Sequence, residues 1–308
     1  MCYLCSVTGF FRRTAVRALL FVVVLALAGA LVHVARSAAA DARWIVFAAS
    51  TGGGVPDQLY RVQTTGAGLQ QITTGSKPAT DPAFSPNGST IVFARLGSGI
   101  FRVGLDGSGL KRLTSGSRDT YPVWSRDGRR IAFIRPFRQQ WRVFVMPASG
   151  GAQKRLGAAP PAGRPSWTAG SKSIVIPAEG SLAKIDSRTG KVQKIYTVTL
   201  DPTLSQAATL SPGGTKVAFV GKRAPTGPPD CGESMCPAYA LYVGGLTGNA
   251  KRVARDTGPA GWSPDGKSLV FASHGGLDIS TAAGTHVRPV VSGAPVVVSG
   301  SAPPAWQP

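Results

Sequence analysis

The chain is 308 residues long, with 34 lysines and arginines against 14 aspartates and glutamates, a formal charge of +20. With 43% hydrophobic residues, the 266 positions from Arg43 to Pro308 can build a substantial core, so neither a cofactor nor a second domain is needed to fold them. A surface this basic attracts polyanions, and an export signal at the N-terminus argues against nucleic acid as the partner.

Residues Ala18 to Val32 are continuously apolar, preceded by Arg12, Arg13 and Arg17 and followed by the small residues Ser37-Ala38-Ala39-Ala40. That is the pattern of an export signal, and residues 1–40 are read as a signal peptide or an N-terminal membrane anchor. Fifteen apolar residues fall short of the roughly 20 that span a bilayer, which favours cleavage. A stretch from Ala15 to Ala35 would serve as a tether. Either way the arginines stay inside, so residues 41–308 are delivered outside the cytoplasm, secreted, periplasmic or held at the outer side of the cytoplasmic membrane. Four arginines precede Asp41, which leaves 30 basic against 14 acidic residues in the exported part.

Beyond Trp44 the chain repeats itself. Ala83-Phe84-Ser85-Pro86-Asn87-Gly88 recurs as Val123-Trp124-Ser125-Arg126-Asp127-Gly128 and as Gly261-Trp262-Ser263-Pro264-Asp265-Gly266, each followed by an alternating apolar run. Weaker copies begin at Ser166-Trp167 and Thr209-Leu210, so the anchors fall at 84, 124, 167, 210 and 262, spaced by 40, 43, 43 and 52 residues. A period of about 40–50 residues with strand and turn signals marks a β-propeller blade. The Asn-Gly or Asp-Gly turn joins two strands as a hairpin, because glycine supplies positive φ. Two further strands, Ile100 to Leu105 and Lys111 to Thr114 in the first copy, complete a four-stranded antiparallel unit.

The chain stops at Pro303-Pro304-Ala305-Trp306-Gln307-Pro308, a sixth copy of the first strand, while Trp44 to Ala48, Gln58 to Val62 and Leu69 to Thr73 match strands two to four. Pairing the two ends removes the exposed edges and closes a six-bladed ring over residues 41–308. The ring is expected to be monomeric.

The Trp-Ser-Pro-Asp-Gly pattern, followed by an apolar strand and an Arg-Leu-Thr ending, resembles the repeat of TolB-like propellers (WD40-like repeats) over residues 43 to 308. The resemblance implies an all-β six-bladed fold. It says little of function, because the same repeat serves peptidases and binding proteins alike. Two copies depart from it: Thr168-Ala169-Gly170-Ser171 replaces the third turn, and Leu210 replaces the fourth aromatic.

In such a blade the loops joining strands two to three, and one blade to the next, share one face. That loop face is expected to carry Arg118, Asp119 and Tyr121, the segment from Arg135 through Arg138 to Trp141, Arg164, and an insertion opening with Lys222 and Arg223. Arginines and aromatics gathered there suit a protein or an anionic cell-envelope polymer. Cys231 and Cys236, the only cysteines of the exported part, are expected to form a disulfide in that insertion. Trp124, Trp167, Trp262 and Trp306 hold equivalent places and are expected to pack between blades.

Catalysis has little to work with. The exported part holds only His274 and His286 as histidines and lacks a Gly-x-Ser-x-Gly elbow. Its aspartates fall mostly in turns, although Asp81 and Asp119, beside the first strands of adjacent blades, are candidates to face the channel. The expectation is a non-catalytic binding propeller without cofactor or metal. The alternative is a lactonase-like or lyase-like enzyme with a metal on the axis.

Overall fold

The computed structural model describes residues 43–157, 161, 163–178, 181–196, 208–222, 239–246, 250–293, 296–299 and 302–308. The expected signal or anchor, Arg223, and the Cys231–Cys236 pair lie outside them. Six antiparallel sheets stand around one axis, and no helix occurs among the described residues. The innermost strands are Ala79–Phe84, Thr120–Trp124, Ser166–Trp167, Thr209–Leu210 and Thr257–Trp262 in blades one to five. In the sixth blade the innermost strand is broken into Val297–Val298 and Ala305–Trp306, and both pieces pair with Trp44–Ser50. The ring therefore closes through both ends of the chain, as expected.

The repeated Ser-x-Asp-Gly turn has a local physical cause. Ser125 Oγ donates to Asp127 Oδ1 at 2.6 Å and accepts from the N–H of Arg130 at 2.9 Å, while Asp127 Oδ1 also accepts from the N–H of Arg129 at 3.1 Å. Ser263 and Asp265 repeat this at 2.6 Å, and Ser85 with Asn87 at 2.7 Å. The glycine then turns the chain at φ 70° in Gly128 and 69° in Gly266. In the divergent third blade Ser171 takes that left-handed position at φ 53°, and its Oγ accepts from the N–H of Asp127 in the blade before.

Behind each turn, the second strand buries one large side chain: Phe47, Phe93, Phe133, Phe219 and Phe271. Four of these face a ring on the third strand in direct register, as in Phe133 with Phe144 at 5.7 Å and Phe219 with Tyr242 at 5.6 Å. Core clusters run from one blade to the next: Trp167 and Ile174 of the third pack with Ala132 and Val143 of the second. Burial of these faces between sheets supplies the main stabilisation.

Two outcomes follow. Phe133→Ala should cost about 3–5 kcal/mol in urea denaturation, since the vacated ring is enclosed on all sides. The turn carboxyls of Asp127 and Asp265 lie below the ordinary value of 3.8, held there first by the serine hydroxyl and then by backbone N–H groups. Their folded pKa is the lower one, so the stability they add is complete above about pH 4 and is lost as pH falls through the folded value. A double Asp127→Asn, Asp265→Asn variant, which copies the Asn87 turn, should show a smaller loss of stability between neutral pH and pH 3 than the parent.

Candidate functional site

The expected loop-face residues divide into three groups. Arg118, Arg138 and Trp141 come together in the open. Among the described residues the strands of the second-blade hairpin, Arg130–Phe137 and Gln140–Pro147, are longer than their counterparts in the other blades. Its two-residue tip, Arg138 and Gln139, has φ of 48° and 65°, the mirror-image turn that normally calls for Asn-Gly. The tip thus holds Arg138 outward on a rigid ladder at some conformational cost. Next to the tip Arg118 lies over the Trp141 ring at 5.2 Å, and Arg138 and Arg155 lie over Phe137 at 5.5 and 4.4 Å. Trp141 is 37% exposed.

Asp119 and Arg135 form the second group, and they are tied to each other. Arg135 Nε and Nη2 donate to the two oxygens of Asp119 at 2.6 and 2.7 Å, and Thr114 Oγ1 donates to the same carboxylate. The Asp119 side chain is fully buried and that of Arg135 22% exposed. Gly116 is required alongside, because a Cβ there would sit 2.3 Å from Asp119 Oδ1. Arg135 also lies over Phe133 and Phe144, just as Arg95 lies over Phe93 and Phe101 one blade earlier. Arg135, expected to meet a partner, thus has a structural part in the second blade, as Arg95 has in the first.

Tyr121 and Arg164, the third group, lie toward the axis. Asp81 and Tyr121 occupy the same place in adjacent inner strands, each at positive φ (56° and 52°) where the strand bulges. Asp81 is buried and accepts from Thr120 Oγ1 at 2.8 Å. Arg164 crosses from the third blade and donates through Nη2 to the carbonyls of Pro82 at 2.7 Å and Pro122 at 3.5 Å. Burial raises the Asp81 carboxyl and lowers the Arg164 guanidinium, each effect opposed by the charge of the other. Lys222 ends a strand of the fourth blade.

Above Arg164, toward the Ser-x-Asp-Gly turns, the axis widens into a chamber of about 350 Å³. Trp124, Trp167, Trp262 and Trp306 wall it, and Arg126 stands at its mouth with Pro86, Pro212 and Pro264. The tryptophans pack between blades as expected and also line this space. The indole N–H of Trp167 donates to the carbonyl of Val123 at 3.2 Å and that of Trp262 to Thr209 at 3.0 Å, each in the preceding blade. The chamber is not among the expectations drawn from the sequence, although an indole recurs at the inner end of the turn in four of the six blades.

Among the described residues no three histidine, cysteine, aspartate or glutamate side chains gather to hold a metal. His274 is exposed, and its Nδ1 lies 2.9 Å from Ser273 Oγ, with no carboxylate to orient it among the described residues.

No family model matches this chain, and no curated protein matches it in sequence. The likeness is one of structure. TolB from Acinetobacter baumannii is 18% identical with a TM-score of 0.65, covering 86% of this chain and 67% of that one. The TolB-titled structure from Agrobacterium tumefaciens is 14% identical with a TM-score of 0.54, over 81% and 88%. The fold is that of a TolB-like propeller. A chain of a nidogen–laminin complex is also similar, at 10% identity and a TM-score of 0.61, over 86% of this chain and 98% of that one. Identities this low show the fold of the TolB-like ring and leave its ligand to the residues themselves.

The division of the arginines is testable by stability. Asp119→Ala, which strands a half-buried guanidinium, should cost about 3–5 kcal/mol, whereas Arg138→Ala should change stability by no more than about 0.5 kcal/mol. Gln139→Gly should stabilise the hairpin by about 1 kcal/mol by relieving its left-handed backbone. Chemical denaturation of the three variants decides all of these.

Proposed function

We propose that the chain is a non-catalytic extracytoplasmic propeller that binds a protein or an anionic envelope polymer through its basic loop face. The observation that carries this reading is the partition of charge. The exposed aspartates among the described residues, Asp106, Asp127 and Asp265, all lie in turns on the opposite face. On the loop face Asp119 is buried and Asp57 and Asp256 are half-buried, while Asp81 is buried at the axis. Arg118 and Arg138 are exposed there beside Trp141, with the cationic and flat aromatic chemistry that interface anchors use.

Extracytoplasmic placement rests on the apolar, arginine-flanked N-terminus. A protein partner is also in keeping with the structural neighbours, one of which comes from a complex of two proteins, nidogen and laminin. Because the exposed arginines work through long-range attraction, the association should weaken with salt.

The test is capture of partners from the envelope fraction of the source cells by the full chain, at low and high ionic strength. A partner retained at low salt, released at high salt, and lost with Arg118→Glu, Arg138→Glu is the expected result. Arg135→Met serves as control and should retain the partner if the protein stays folded. Capture indifferent to the charge reversals would remove the loop face from the function.

A further inference from the structure

The repeat places a large aromatic at the inner end of each turn, in Phe84, Trp124, Trp167, Trp262 and Trp306, but the fourth blade has Leu210. Beside that smaller side chain a second cavity of about 210 Å³ opens between the third and fourth blades. It shares Trp167, Leu210, Ser211 and Pro212 with the axial chamber, so the two spaces have common walls. A simple packing defect would be closed and apolar. This cleft instead carries Lys184, and the chamber carries Arg126 and Arg164, while among the described residues neither is lined by an aspartate or glutamate.

The cations are lightly engaged. Among the described residues Arg126 makes one long bond, 3.5 Å to the carbonyl of Pro212 across the ring, and the hydrogen bonds of Arg164 run through Nη2 alone. Neither bond neutralises charge. Asp81 offsets the charge of Arg164, which leaves Arg126 and Lys184 without an acidic partner in the walls among the described residues. Indoles and prolines around unneutralised cations hold a flat or ring-shaped body by stacking and an anionic group by charge-assisted hydrogen bonds. The chamber alone is at the lower end of the ~300–1,000 Å³ range of small-molecule sites.

We propose that the chamber and the Leu210 cleft together form a site for a small organic anion, a ring-bearing carboxylate or phosphate. Its ring lies against Trp167 in the space beside Leu210, and its anionic group is held by Arg126 and Lys184. This site is on the face opposite the loop-face arginines and does not depend on what those bind.

The test titrates the full chain with phenyl β-glucuronide, phenyl phosphate and the uncharged phenyl β-glucoside, read by tryptophan fluorescence and ligand-observed NMR. At least one anion should bind about tenfold or more tighter than the glucoside, and Arg126→Gln with Lys184→Gln should erase that difference. Leu210→Trp, which restores the aromatic of the other blades, should abolish binding while melting temperature holds or rises. Binding by the glucuronide alone supports the carboxylate form, and by the phosphate alone the phosphate form. Glucoside binding equal to that of both anions, anion binding untouched by Leu210→Trp, or no binding of any of the three would overturn the proposal. Arg118→Glu, Arg138→Glu should leave these titrations unchanged, so failure of this site and failure of the loop face are told apart.

Discussion

Closure of the ring is the constraint on which everything else in this molecule depends. An open row of six sheets would expose two unpaired edges and could not bring its inner strands to a common axis. The seam is made by Trp44–Ser50 pairing with Val297–Val298 and Ala305–Trp306. The Gln307 side chain clasps it, accepting from the N–H of Trp44 at 3.1 Å and donating to the carbonyl of Gly88 in the first blade at 3.0 Å. A few residues at the C-terminal end therefore join the last blade to the first and complete the wall of the axial chamber, to which Trp306 contributes.

Repetition then separates structural residues from distinctive ones. Where the same residue does the same thing in two blades, as Arg95 and Arg135 do over their phenylalanine pairs, packing explains it. Where one blade departs from the others, the departure builds something. Asp119 gives Arg135 a buried counter-ion that Arg95 lacks, since Ala79 stands at the equivalent place. Leu210 leaves a cleft where the other blades place a ring. Gly261 lets two inner strands close up, because a Cβ there would lie 2.0 Å from the carbonyl of Pro304.

The two faces of the ring consequently have different chemistry. The turn face mixes aspartates, spent on holding hairpins, with basic residues around a chamber of indoles. Among the described residues the loop face buries or half-buries its aspartates and projects arginines on a long hairpin. Neither arrangement places a histidine, a nucleophile and a carboxylate together among the described residues, and both present surfaces suited to binding.

The sequence by itself determined the blade count, the hairpins and the closure, because those follow from short-range rules. A serine, an aspartate and a glycine in fixed order make the same turn wherever they occur, and alternation of apolar residues sets which face of a strand is buried. The same rules put Arg118, Arg138 and Trp141 at the loop end of the second blade. What only the tertiary structure decided was where side chains point once neighbouring blades converge. The bulges at Asp81 and Tyr121 turn those residues into the axis, the carbonyls of two other blades draw Arg164 across it, and Asp119 captures Arg135 from an adjacent strand. These outcomes depend on distances between blades, and the repeat period carries no information about those distances.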